Sequence, residues 1–206
     1  MSDYSLIQEL KRDGTLKLCH DYRSGTARDF SGGGRHGTPS NCEFAGNGLL
    51  NVGAGEVTVA NDATLQALTS GTLVLFGEFN EQIANERFMS KRGGGVHFDW
   101  YINTPTRLIF FDGASSRTIN VSIIGSRYIA VNFSSGAIPT MHMDGIYVGP
   151  YNAAVTVTGS ADILRIGNVV GGGVVGALSS NYGGVVITNS VLTDTQHAQL
   201  YGELMS

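Results

Sequence analysis

Short runs of β-branched, aromatic and aliphatic residues follow one another along almost the whole chain, each closed by a glycine, aspartate, asparagine or serine turn signal. The spacing is close to the 8–12 residues of antiparallel sandwiches and barrels, and it predicts strands over 16–22, 48–52, 56–59, 72–80, 88–91, 96–102, 107–112, 118–124, 128–134, 138–143, 146–148, 154–158, 163–166 and 184–188. No 10–15-residue helical pattern separates these runs, which disfavours parallel βαβ architectures. Only the two ends read as helix. Ser5 can cap apolar residues at Leu6, Ile7 and Leu10 before the stop at Asp13-Gly14, and Thr193 to Gln196 has capping-box spacing ahead of Leu200 and Leu204. The prediction is an all-β, antiparallel two-sheet sandwich with a short N-terminal helix and a short C-terminal helix. No linker or repeat divides it, so residues 1–15 form an arm and 16–206 one domain.

Composition narrows the function classes. Glycine supplies 29 of 206 residues, about twice its ordinary share of roughly 7%, but 4 prolines and the lack of a G-X-Y period exclude collagen. The net charge of -4 provides no global basic field for a phosphate backbone, so no nucleic-acid partner is expected. Charge is also uneven: residues 128–206 carry five charged side chains in 79 positions, Asp144, Asp162, Arg165, Asp194 and Glu203. A half so neutral implies either a protein-facing surface or a Thr/Ser/Asn-rich one solvated without charge. The first alternative, with the glycine-rich apolar stretch 169–178, makes Val169, Val170, Val174, Val175 and Leu178 candidate interface residues between copies of the chain. Neither a signal peptide nor an apolar run of about 18 residues is present, so membrane insertion is not expected. Cys19 and Cys42 could pair in an exporting context and would be thiols in a cytoplasmically made protein.

Several segments, in order, resemble laminin-G-like (concanavalin A-like) jelly rolls. The run from Asp29 through Ser31, Gly32, Gly34 and Gly37 to Thr38 looks like the family's early D-x-S-G-x-G-x-x-G-T turn, and Gly46 to Leu50 like its G-x-G-x-x-L strand. Residues 72–79 sit where the family has a long inner strand, and residues 88–93 match its I-x-S-K-G strand. Residues 128–133 resemble W-x-H-V-A-V-T without the Trp or His. Residues 141–145, 163–168 and 190–201 resemble L-Y-V-N-G, L-x-I-G and the closing R-x-L-S-x-x-E-I-x-x-L-Y. The likeness runs from about Leu18 to the C-terminus. It implies a two-sheet jelly roll of a superfamily found in receptors, lectins, glucanases and tailed-phage virion proteins. A chain without an export signal looks most like the last group.

Motifs for chemistry are sparse. Glycan-hydrolysing members of the superfamily use Glu-x-Asp-x-x-Glu on one strand, and Glu78, Glu81 and Glu86 fail that spacing. The five histidines form no H-x-x-x-H pair, and no phosphate-binding or nucleophile-elbow motif occurs. The expectation is a non-enzymatic protein with no catalytic residues and no cofactor called for by a motif. The resemblance brings calcium into question, with Asp29, Asp112 and Asp144 as candidate ligands that also fit ordinary Asx turns. Alternation along 98–103 puts Phe98, Trp100 and Ile102 on a core face and Asp99, Tyr101 and Asn103 outward, where a carboxylate, an aromatic ring and an amide make a candidate carbohydrate site. The leading reading is therefore a structural protein on a phage virion surface, partnered by other virion proteins, by its own copies and by surface glycans. The alternative is a lectin-like carbohydrate- or receptor-binding module, and a glycan hydrolase is disfavoured.

Overall fold

A computed structural model describes residues 5–45, 48–80, 82, 84–92, 96–167 and 181–206. The interface candidates Val169, Val170, Val174, Val175 and Leu178, together with Glu81, lie outside these residues. The chain is all-β with three short helices, α1 (Leu6–Arg12), α2 (Ala63–Gln66) and α3 (Asp194–Met205). Its strands are β1 (Leu16–Asp21), β2 (Gly37–Ala45), β3 (Gly48–Val59), β4 (Ser70–Glu78), β5 (Arg87–Arg92), β6 (Val96–Thr104) and β7 (Arg107–Phe111). They continue as β8 (Ser116–Asn120), β9 (Tyr128–Ser134), β10 (Thr140–Met143), β11 (Ile146–Pro150), β12 (Leu164–Ile166) and β13 (Asn181–Thr188). Among the described residues no helix is long and apolar enough to cross a membrane.

Hydrogen bonding joins these strands into one antiparallel sheet in the order β11-β10-β9-β4-β13-β3-β12-β5-β6-β7-β8, with β1 added on β13 and β2 on β3. The sequence predicted two separate sheets; the structure has one that curls until its ends nearly meet. Beyond β11, Asn152 N–H donates to Thr118 O at 3.0 Å, the Asn152 side chain accepts Thr118 N–H at 2.9 Å, and Arg117 donates to Ala154 O. The sheet is thereby almost closed into a barrel, which removes most of the exposed edge that an open sheet of this width would present.

Period-2 alternation fills the interior. Leu73 and Leu75, Ile129 and Val131, Val185 and Ile187, Phe98 and Trp100, and Phe110 all point into one core, where Phe88 meets Trp100 edge-on at 5.0 Å. The Trp100 indole N–H donates to the Tyr151 hydroxyl at 3.2 Å, so the one polar atom of the largest core side chain is satisfied. The predicted strand over 154–158 is absent. Its Val155 and Val157 instead plug the core, while Thr156 N–H goes to Asp112 and Val155 N–H to Ala137 O. The reverse omission is β2, which pairs only with β3; its first half is exposed and contains Pro39, and only Cys42 and Phe44 lean on the core. Opposite its bulge, a Cβ on Gly55 would lie 2.1 Å from Asn41 O, so only glycine lets the backbones approach there.

The β1-β13-β4-β9 part of the sheet is buried on both faces. Its outer side chains, among them Cys19, Val74, Phe76, Tyr128 and Val186, pack beneath α1 and α3 with Leu6, Leu10, Leu200 and Leu204. Both helices start as predicted: Ser5 accepts from Gln8 N–H, and Thr193 and Gln196 form a reciprocal capping box. Glu203 of α3 accepts the N–H groups of Leu6 and Ile7 and so caps α1 as well.

A polar network fastens α3 to the sheet. Asn132 Oδ1 accepts from the Thr72 hydroxyl at 2.6 Å, and Asn132 Nδ2 donates to Leu192 O. His197, wholly buried, lies with Nε2 3.1 Å from Asn132 Oδ1 and Nδ1 2.7 Å from the Tyr128 hydroxyl. Since Oδ1 only accepts, Nε2 carries the imidazole proton and Nδ1 accepts from Tyr128. The His142 ring stacks on His197 at 3.7 Å and bonds Asp194 at 2.9 Å. Cys19 and Cys42 are free thiols, and burial pushes that of Cys19 up to about 12.

Candidate functional site

The other part of the sheet, β12-β5-β6-β7, turns polar side chains outward. Cross-strand register lines up Arg165 with Ser90, Ser90 with Asp99 and Asp99 with Phe111, and the next row puts Arg87 opposite Tyr101 and Tyr101 opposite Ile109. The alternation expected for 98–103 is therefore present, with Phe98, Trp100 and Ile102 in the core and Asp99, Tyr101 and Asn103 on the opposite face.

Asp99 nonetheless has no exposed surface. Its carboxylate lies 3.7 Å from Arg87 Nε and 3.9 Å from Arg92 Nη1, and neither oxygen accepts a hydrogen bond. Both separations exceed hydrogen-bonding distance, leaving Coulomb attraction without a directed bond. Burial pushes the Asp99 carboxyl up to about 6, against the opposing pull of Arg87 and Arg92. Each arginine rests on an aromatic ring: the Arg87 guanidinium is 3.6 Å from the Tyr101 centroid and that of Arg92 is 6.0 Å from Phe111. Arg87 Nε and Nη1 and Ser90 Oγ are buried without a hydrogen-bond partner. Arg92 is 43% exposed and makes the outer wall of the cluster. Alongside, Arg165 forms a close ion pair with Glu56.

Asp99 and Tyr101 are thus brought into one cluster. Asn103, half-buried, sits about 7 Å beyond Tyr101 and about 14 Å from Asp99 along β6 at 3.4 Å per residue. Arg87, Ser90, Arg92 and Arg165 were missed by sequence reasoning. No period in Arg-Phe-Met-Ser-Lys-Arg marks them, because bulges at 87–89 and 91–92 break the alternation and only pairing of β5 with β6 and β12 puts them on one face.

The three aspartates considered for calcium all accept donors from the protein. Asp29 takes the N–H groups of Cys19, Ser31 and Arg35 and the Ser31 hydroxyl. Asp112 takes those of Ala114, Ser115 and Thr156. Burial raises the carboxyl pKa of both, but these bonds outweigh it and hold each below the usual carboxylate range. Asp144, at φ 48, accepts from Arg127 and Tyr128 N–H and with Gly145, φ 78, makes the tight turn between β10 and β11. Among the described residues no group of three or more His, Cys, Asp or Glu could hold a metal ion. Of the acidic residues weighed for hydrolysis, Glu78 is exposed at the end of β4 and Glu86 is buried, accepting from the Tyr182 hydroxyl at 2.7 Å.

Two clefts of about 320 and 400 Å3 adjoin at Arg23 and Phe76, near the end of α3. Their charged groups are largely engaged: Arg23 is bidentate on Asp21 and donates to Leu204 O, while Glu203 caps α1. Among the described residues, five of the ten buried polar side-chain atoms without a hydrogen bond belong to Arg87, Ser90 and Asp99 on the β5-β6 face, which makes that face the stronger candidate.

No protein-family model matches this sequence, and no curated protein matches it. Solved structures do match the fold. A Trypanosoma rangeli sialidase in complex with sialic acid superposes with a TM-score of 0.67 at 16% identity, over 91% of this chain and 33% of the sialidase. The binding domain of botulinum neurotoxin DC in complex with SialylT gives 0.66 at 14% identity, over 93% of this chain and 52% of that one. Domain 4 of AbnA, an extracellular arabinanase of Geobacillus stearothermophilus, in complex with arabinotriose, gives 0.69 at 11% identity, over 91% and 98%. The chain thus spans about a third of the sialidase and nearly all of the arabinanase domain. At these identities the likeness is one of fold.

Proposed function

We propose that this chain is a carbohydrate-binding module with a jelly-roll, concanavalin A-like arrangement of its strands, and that the outer face of β5 and β6 is its ligand site. The observation that carries the reading is Asp99, a wholly buried carboxylate with no hydrogen-bond donor, set between two arginines that rest on aromatic rings. Sugar hydroxyls supply donors to a carboxylate and acceptors to guanidinium groups at the same time, and ring faces pack against C–H surfaces. The fold neighbours add support, since one is bound to sialic acid, one to SialylT and one to arabinotriose. The arabinanase domain is matched over nearly its whole length, in keeping with a self-contained module. A binding role requires no catalytic residue.

A glycan array tests this. Wild-type protein is expected to bind a restricted set of saccharides, and Tyr101→Ala, at a half-buried ring outside the core, is expected to abolish that binding with an unchanged circular dichroism spectrum. Absence of binding across the array, or binding that Tyr101→Ala leaves intact, overturns the reading.

A second reading, self-association through the charge-poor part, draws on the exposed apolar side chains of Ile146, Tyr147 and Val148 on β11. Sedimentation of the wild type and of Val148→Lys tests it: a monomer at high concentration excludes it. The virion role rests on the sequence resemblance alone.

A further inference from the structure

We infer that the Arg87–Asp99–Arg92 site takes an acidic saccharide, its carboxylate seated on Arg92 and Arg87 while a neighbouring hydroxyl donates to Asp99. This rests on the carbohydrate-binding reading above and adds the chemical class of the ligand.

Charge bookkeeping gives the first argument. Arg165 is matched by Glu56, whereas Arg87 and Arg92 share the single carboxylate of Asp99. The cluster therefore carries one excess positive charge on a chain whose net charge is -4. A neutral sugar leaves that excess uncompensated in a partly desolvated site, where a charge without a partner is disfavoured. A ligand carboxylate compensates it.

Hydrogen-bond demand gives the second argument, and it is independent of charge. Arg87 Nε and Nη1 are buried donors without acceptors, and both Asp99 oxygens are buried acceptors without donors. An inorganic anion satisfies only the donors and sets its charge against the Asp99 carboxylate. A carboxylate beside a hydroxyl on one sugar ring satisfies both, because the acid faces the guanidinium groups and the hydroxyl proton faces Asp99. Geometry supports this division. The Tyr101 ring, 3.6 Å away, holds the Arg87 guanidinium in place, whereas Arg92, 43% exposed, is the member a ligand meets first and the one whose shift uncovers Asp99, which has no exposed surface.

The test pairs acidic saccharides with neutral counterparts: sialyllactose against lactose, and trigalacturonic acid against galactotriose, by titration calorimetry at low and moderate salt. At least one acidic member is expected to bind tenfold or more tightly than its counterpart, with the gap narrowing as salt rises. Arg92→Gln, at a half-exposed position where folding should survive, is expected to weaken the acidic member about tenfold more than its neutral counterpart, so that the acidic preference narrows. Asp99→Asn is expected to weaken acidic and neutral saccharides alike, because the amide keeps one acceptor and adds a donor facing the arginines. Equal affinity within both pairs, or an acidic preference indifferent to Arg92→Gln, overturns the acidic assignment and leaves carbohydrate binding standing. If none of the four saccharides binds but the array of the preceding section finds another neutral ligand, the acidic assignment again fails alone. No binding in either experiment overturns both.

Discussion

Acid should loosen the attachment of α3, and His197 is where the effect can be isolated. Burial and the adjacent His142 ring press its pKa down to about 3, with the Asp194 carboxylate pulling weakly the other way. Hydrogen bonding reinforces the direction: Nδ1 accepts from the Tyr128 hydroxyl, and a proton there would face a donor in a site with no water-exposed surface. Above about pH 6.5 the ring is neutral in both folded and unfolded chains and contributes no pH dependence. Below that, the unfolded chain takes up a proton that the native state refuses, so stability falls as pH falls. With an unfolded value near 6.5, the loss at pH 5 is about 2 kcal/mol at 1.36 kcal/mol per pH unit, and it is insensitive to the folded value so long as that lies below about 4. Asp99 works oppositely: its raised pKa makes the native state gain stability as pH falls from about 6 towards 4. The informative quantity is therefore the difference between wild type and His197→Gln at each pH, in which Asp99 cancels. Urea unfolding followed by the fluorescence of Trp100, the single tryptophan, supplies it. Wild type minus variant should shrink by about 2 kcal/mol between pH 7 and pH 5. A difference constant within about 0.5 kcal/mol would refute the argument, as would NMR titration showing His197 protonated at pH 5 in the folded wild type.

Two further outcomes follow from the packing. Trp100→Ala empties the centre of the core and orphans the Tyr151 hydroxyl, so a loss of about 3–5 kcal/mol is expected in chemical denaturation. Thr193→Ala removes both the acceptor for Gln196 N–H and half of the capping box; thermal unfolding should show a loss of about 1 kcal/mol with ligand binding at the β5-β6 face unaffected.

Much of the architecture is legible in residue order because it depends on local periodicity. The β-branched and aromatic run over 72–79 and the alternation along 128–133 mark strands, Ser5 and Thr193 mark helix starts, and Asp144-Gly145 marks a turn that needs two positive φ values. Trp100 reads as core and Asp99 and Tyr101 as its opposite face for the same reason. Where local pattern and tertiary demand diverge, reading by period fails. Val155 and Val157 alternate like a strand but serve as a plug, with Val155 N–H on Ala137 O and the intervening Thr156 N–H on Asp112, and β2 forms a ladder whose apolar side is limited to the half-buried Cys42 and Phe44.

Residue order by itself determined that this chain folds as antiparallel β, which side chains line the two faces of β6, and where its end helices begin, because each follows from spacing along a few neighbouring residues. Tertiary structure alone decided that the strands join into one nearly closed sheet and that His142 stacks on His197. It also decided that Arg87, Arg92 and Asp99 meet between β5 and β6. Pairing register is set by the burial of whole faces across strands distant in sequence. The charge of Asp99 acquires its meaning only there, because the same carboxylate on an open strand would be solvated and unremarked.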